Sequence, residues 1–193
     1  MSEEKKVIPY KVQKGNRPKI EEVISACLSG DLKDTALDFA IFMRENKMPF
    51  KLKSSSTRMQ VAEYKSEHIC HVFIYAEDDW QYGDQHNQGD PQYWSVTPIL
   101  NNINKYEGLL MNQEMQNILW NNINYCRHYN GNGIGCNPNK GCAGGRDLTL
   151  LGKKFNGIAY CYPHSRIKNP NATAIANIKK LLELEQKARK YIY

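Results

Sequence analysis

The sequence predicts an α+β protein: an antiparallel β-sheet packed with about four helices, plus a Cys/Gly-rich loop. Three observations point there. Apolar residues recur at helical spacing in the first fifty residues, around residue 118 and near residue 180. Residues 50–100 switch to short runs rich in β-branched and aromatic residues. Residues 126–164 then gather Cys126, Cys136, Cys142, Cys161, His128 and His164 among Gly131, Gly133, Gly135, Gly141, Gly144 and Gly145.

Each element has its own justification. Residues 1–16 are polar and lysine-rich without periodicity, which reads as a flexible arm. A helix follows, with Asn16 as cap, Pro18 in its first turn and a stripe of Ile20, Val23, Ile24, Cys27 and Leu28. Gly30 suits its stop. Asp31 caps a second helix, whose main face is Leu32, Ala36, Phe39, Ala40 and Met43, and Pro49 ends it. Met59–Tyr64 and Ile69–Tyr75 read as strands around a break at Lys65-Ser66-Glu67-His68. The acidic run from Glu77 to Pro91 reads as an exposed loop, because it lacks the ligand spacing of a calcium loop. Tyr93–Leu100 returns as a third strand, with Trp94 and Val96 on one face.

A third helix is expected over 111–126, with Met115, Ile118, Leu119 and Ile123 in its stripe and Cys126 continuing it. Leu148–Leu151 and Ile158–Tyr162 read as strands split by Gly152-Lys153-Lys154. Asn169 and Pro170 open a final helix faced by Ala174, Ile178, Leu181, Leu182 and Ala188. Glu183–Lys187 and Glu185–Arg189 add i,i+4 pairs on it. The 193 residues fit a single domain.

Composition narrows the function classes. Charged residues make up 24% and mean hydropathy is −0.65, as in a soluble protein. No apolar run approaches the ~18 residues that a membrane helix needs. The first residues lack the apolar core of a secretory signal, so the expected location is cytoplasmic and no membrane is expected as partner. In a reducing compartment, the six cysteines are expected to be thiols or metal ligands rather than disulfides. Cys27 and Cys70 lie on apolar faces and are expected to be core residues.

Charge is uneven. Residues 1–90 carry 13 Lys and Arg against 15 Asp and Glu, and residues 91–193 carry 13 against 5. The basic half suits an acidic partner, a phosphate-bearing ligand or nucleic acid, and equally a solvated basic helix. An anionic ligand would sit near Lys140, Arg146, Lys153 and Lys154.

The Cys/Gly-rich stretch carries the chemistry. Its spacing, C-x9-C-x5-C-x18-C, offers zinc four thiolates in Cys126, Cys136, Cys142 and Cys161. His128 and His164 are substitute ligands. The spacing is not that of a paired-CxxC knuckle, and Cys126 and Cys161 could instead be plain core residues. A second reading is a cysteine-dependent enzyme or thiol redox protein using Cys136 or Cys142, with Lys140 and Arg146 lowering the thiol pKa. A third is phosphate or nucleic-acid binding through the basic half. Gly131-Asn132-Gly133-Ile134-Gly135-Cys136 lacks the last glycine of a dinucleotide fingerprint, and no Walker motif is present. His68 and His71, three apart, are expected on opposite faces of a strand, and so are poor joint ligands. Tyr64, Tyr75, Trp80, Tyr82, Tyr93 and Trp94 would line a pocket or form ordinary cross-strand pairs.

The chain resembles an uncharacterised family of small bacterial proteins. The resemblance rests on Ala36–Phe39 through Asn46–Pro49, on Gly141–Asp147 through Gly152–Phe155, and on Asn169-Pro170 before Ile178–Leu182. It implies no activity and no catalytic residue. The reading that follows from the residues is a binding or sensing module with a structural zinc site.

Overall fold

The computed structural model describes residues 18–52, 59–75, 93–106, 108, 113–126, 145–159 and 165–190. It is α+β, as the sequence predicts. Helices α1 (Ile20–Cys27) and α2 (Gly30–Glu45) come first, followed by strands β1 (Phe50–Leu52), β2 (Met59–Tyr64), β3 (Glu67–Tyr75) and β4 (Tyr93–Pro98). Helices α3 (Ile103–Tyr106) and α4 (Gln113–Asn121), strands β5 (Gly145–Leu150), β6 (Lys153–Ala159) and β7 (Ile167–Lys168), and helix α5 (Ala172–Lys190) complete the described elements. One antiparallel sheet has the order β1-β2-β3-β4-β7, and β5 and β6 form a separate hairpin. The arm at 1–16 and the acidic run 77–91 lie outside the described residues.

The chain divides into two compact units, Met1–Val96 with Lys168–Lys179, and Thr97–Ile167 with Lys180–Tyr193. In the first, α1 and α2 lay their apolar stripes on the sheet. Val23, Ile24, Leu28, Phe39, Ala40 and Met43 are buried, and the Phe39 ring packs beside Phe50 and Trp94. Cys27 and Cys70 are buried in this unit, as their apolar stripes require.

Helix ends explain most boundary shifts. α1 begins at Ile20, where the Lys19 amide donates to the Glu22 carboxylate at 3.3 Å. Gly30 does not stop α1. It opens α2 with φ +54, behind Ser29 as cap. α2 ends before Pro49 in a Schellman turn: Met48 N–H donates to Met43 O at 2.8 Å and Lys47 N–H to Arg44 O at 3.1 Å. That turn places Lys47 at φ 60, a left-handed position that glycine normally fills.

The final helix starts two residues later than expected. Asn171 is the cap, its side-chain oxygen accepting from the Ala174 amide at 2.8 Å. Asn169 is used differently. Its amide donates to Trp94 O and its side chain accepts from Trp94 N–H, both at 2.9 Å, so it pairs with β4 like a strand residue.

Both hairpins turn in two residues. Lys65-Ser66 and Leu151-Gly152 have positive φ at both positions, the type I′ pattern that matches strand twist. β3 therefore starts at Glu67 and β6 at Lys153, inside segments expected to be turns. β1 and β7 are three and two residues long, too short to carry an alternation signal.

In the second unit, Leu100, Ile103, Tyr106, Met115, Leu119, Leu150, Phe155, Ile158 and Leu181 form the core. α4 ends at Asn121, five residues short of the expected end. Asn122 Nδ2 donates to Ile118 O and Ser165 Oγ donates to Leu119 O, so side chains take the carbonyls that another turn would have used. Cys126 therefore does not extend a helical stripe.

The i,i+4 pair Glu185–Arg189 forms, and it is buried, at 0% and 3% exposure. The Glu185 carboxylate accepts from Arg189 Nε at 2.8 Å, Tyr106 Oη at 2.7 Å, Asn102 Nδ2 at 2.9 Å and Asn102 N–H at 3.1 Å. Arg189 also donates to Ile99 O. Burial, and then the neighbouring Glu185 carboxylate, push the Tyr106 phenol well above its usual value.

Two predictions follow from these contacts. Above pH ~10 the unfolded chain ionises Tyr106 while the folded chain does not, so stability is lost as pH rises. The urea midpoint of the wild type should fall more steeply between about pH 10 and pH 11.5 than that of Tyr106→Phe, by up to ~1.4 kcal/mol per pH unit. Equal slopes would remove Tyr106 from the network. Lys47→Gly should relieve left-handed strain and raise stability by about 0.5–1 kcal/mol, read as a higher melting temperature.

Candidate functional site

The Cys/Gly-rich stretch is bordered by the β5–β6 hairpin. Arg146 pairs with Ile158 and Leu148 with Phe155, so one residue of β5 faces two of β6 across a bulge. Gly157 sits in that bulge with φ +73, a conformation that L side chains avoid. Its amide donates to Asp147 Oδ1 at 3.1 Å, and its carbonyl accepts the Cys126 amide at 2.7 Å. Tyr125 bridges Ile158 on the same side. Cys126 is thus held, half-buried, alongside β6 by its backbone. Gly145, where the chain returns, pairs with Ala159 two residues further along β6.

Of the expected metal ligands, only Cys126 belongs to the described residues. Cys136, Cys142, Cys161, His128 and His164 lie outside them, as does Lys140. Among the described residues, no group of three or more His, Cys, Asp or Glu side chains could hold a metal ion. The described basic residues named for an anion are spread along the hairpin. Arg146 pairs with Ile158 at one end, while Lys153 and Lys154 pair with Leu150 and Thr149 near the turn. The Lys153 ammonium lies over the rings of Trp120 and Phe155, at 5.2 and 5.4 Å from their centroids.

The histidines of β3 break the expectation set for them. His71 Nε2 lies 3.4 Å from His68 Nδ1, with the rings edge to face and centroids 5.4 Å apart. The cause is a bulge. Ala62 pairs with Cys70 but Glu63 pairs with His68, leaving Ile69 as an extra residue in β3. One inserted residue reverses the alternation, so positions three apart share a face. Ile69 and Cys70 are accordingly both buried. The sequence carried the signal: two consecutive apolar residues, Ile69-Cys70, interrupt an otherwise regular alternation.

Glu63 completes this group. Its Oε1 lies 3.9 Å from His68 Nε2, and its Oε2 accepts from Lys51 Nζ at 2.8 Å. The Lys51 hydrogen bond and charge hold the Glu63 carboxyl below the usual range, so it is an anion at neutral pH.

The aromatic cluster divides between the two faces of the sheet. Tyr75 packs on Phe73 and Tyr93, whereas Trp94 packs on Phe39 beneath α2. These are ordinary cross-strand and core pairs, and Trp80 and Tyr82 lie outside the described residues. In the second unit, a void of about 10 Å³ lined by Pro98, Leu100, Ile103, Leu119, Leu150 and Ser165 has barely the room for one water. No helix among the described residues is long and apolar enough to cross a membrane.

No family model, curated protein or solved structure matches this chain.

The Gly157 bulge can be probed directly. Gly157→Ala forces a side chain into left-handed backbone and should cost about 1–2 kcal/mol in urea denaturation. Hydrogen exchange at the Cys126 amide should quicken with it, because the acceptor is the Gly157 carbonyl. An unchanged Cys126 exchange rate would mean that the bulge does not hold that end of the stretch.

Proposed function

We propose that this chain is a binding or sensing module whose Cys/Gly-rich stretch is closed by a structural zinc ion. The thiolates of Cys126, Cys136, Cys142 and Cys161 are the ligands, with His128 or His164 able to replace one. The observation that carries the reading is the convergence of the described residues bordering the stretch. Cys126 lies beside Gly157, Gly145 lies beside Ala159, and Ala159 is where the chain leaves β6 toward Cys161. Three chain ends that lead into the cysteines therefore start from neighbouring points on one strand.

Zinc needs that kind of convergence, because its four ligands must meet at one point with tetrahedral directions. A glycine-rich connection with little apolar content cannot close itself by burial, and a metal supplies the missing cross-link. The reading implies a reducing compartment, the cytoplasm, where thiolates persist as ligands rather than disulfides.

Elemental analysis of the untagged full chain, paired with thiol counts before and after denaturation, tests this. About one zinc per chain is expected, with the four ligand thiols masked until unfolding. Single Ser replacements at Cys126, Cys136, Cys142 and Cys161 should each lower zinc content and stability, and Cys27→Ser should leave zinc unchanged. Metal-free protein with fast-reacting thiols at Cys136 or Cys142 would replace the reading with cysteine chemistry. Metal-free protein with uniformly slow thiols would make the cysteines plain packing residues.

A further inference from the structure

We propose a second metal site, on the face of β2 and β3, in which His68 Nδ1 and His71 Nε2 chelate one divalent transition-metal ion and Glu63 orients the first imidazole. It shares no residue with the cysteine stretch and stands without it.

The nitrogen spacing is the first argument. Zinc–imidazole bonds are ~2.0–2.1 Å, so two nitrogens on a tetrahedral ion are ~3.3–3.4 Å apart. His68 Nδ1 and His71 Nε2 are 3.4 Å apart. The same contact serves as a long hydrogen bond between the two ring nitrogens when no ion is bound, and a bound ion replaces it. As a chelate edge, the contact needs no change in the distance between the two nitrogens.

The surroundings are the second argument. A metal-bound imidazole typically donates its other ring N–H to a carboxylate, which fixes the tautomer and raises the ligand's basicity. With His68 bound through Nδ1, its Nε2 carries the proton and lies 3.9 Å from Glu63 Oε1, an ion-pair separation that must shorten to become a hydrogen bond. Lys51 occupies the other oxygen of that carboxylate. Glu63 is thereby positioned as an orienting partner and is not required as a ligand. The His68 side chain is 40% exposed, so an ion reaches it from solvent.

The backbone also favours the site. An i,i+3 pair in a regular strand cannot chelate, because its side chains leave from opposite faces. The extra residue at Ile69 is what brings these two imidazoles together. Two protein ligands leave the remaining coordination positions to water, which accords with the absence of any three-residue group among the described residues. Imidazole nitrogens select zinc, copper and nickel over calcium or magnesium.

The test uses the untagged full chain under a non-chelating reductant, titrated with ZnCl2 beyond any ion it already holds. Nitrogen-15 spectra of the histidine side chains should show His68 and His71 shifting together at one added equivalent. In equilibrium dialysis, His68→Gln and His71→Gln should each weaken this binding at least ~10-fold, and the double variant should abolish it. Glu63→Gln should weaken it ~10-fold or more while leaving both imidazoles as ligands. Ser replacements of the four stretch cysteines should leave the His68 and His71 shifts intact, which separates this site from the cysteine reading. Unmoved resonances at both histidines, or a double variant that binds as tightly as wild type, would overturn the proposal.

Discussion

The second unit is organised around a carboxylate that has no access to water. Glu185 lies on the inner face of α5, and burying a lone carboxylate costs far more than any single contact returns. The cost is met by four donors from three places: Asn102 twice, Tyr106 and Arg189. To deliver them, the chain after β4 must run against α5, with the short helix α3 turning Tyr106 inward. Arg189 is then anchored a second time on Ile99 O. A buried, hydrogen-bonded ion pair adds little net stability over an apolar one, but removing one partner would cost about 3–5 kcal/mol. Its larger effect is on register, because a shift of residues 99–106 would withdraw the Asn102 and Tyr106 donors from the carboxylate.

The sequence revealed regular elements well and their ends poorly. Helical stripes at Ile20–Leu28, Leu32–Met43 and Ile178–Leu182 are long enough for periodicity to dominate, and all three are helical. The α4 boundary was not legible, because Ile123 fits a helical stripe as well as it fits a bridge to Ser165. What ends the helix is a long-range partner, Ser165, that no local window contains. The burial of the Glu185–Arg189 pair was not legible for a related reason. An i,i+4 charge pair looks the same whether its face meets water or the donors of a distant segment. β1 and β7 escaped notice because two or three residues cannot display a period.

The candidate sites show the same division. Residue type and spacing singled out the cysteines, but spacing alone says nothing of convergence. Convergence is set by the backbone of Cys126 and Gly145 on either side of β6. The histidine pair was read wrongly from a sound rule. Alternation places positions three apart on opposite faces, and it fails only where a bulge adds a residue. A bulge is set by pairing with β2, at Ala62 and Glu63, so it belongs to two strands at once and neither announces it alone.

Both groups of chemically capable residues depend on irregular backbone. The type I′ turn at Lys65-Ser66 sets the pairing of Tyr64 with Glu67, and the bulge at Ile69 then moves His71 to the side of His68 and Glu63. The turn at Leu151-Gly152 sets the β5–β6 register, and the bulge at Gly157 then aims one amide at Asp147 and one carbonyl at Cys126. In each hairpin the regular ladder buries apolar side chains, and the departure from it brings polar groups into contact. Regular strands present their residues in fixed alternation, so ligands at an odd spacing along one strand, such as His68 and His71, cannot converge unless that alternation is broken. A bulge breaks it at the cost of a ladder hydrogen bond and, at Gly157, of left-handed backbone as well. Such a cost persists where the surrounding pairing over-determines it. Lys51 pairs with Val61, and Tyr125 bridges Ile158, on either side of the two departures. Strand pairing therefore sets both positions: His71 lies opposite Val61 of β2, and the Cys126 amide is held on the Gly157 carbonyl beside β6.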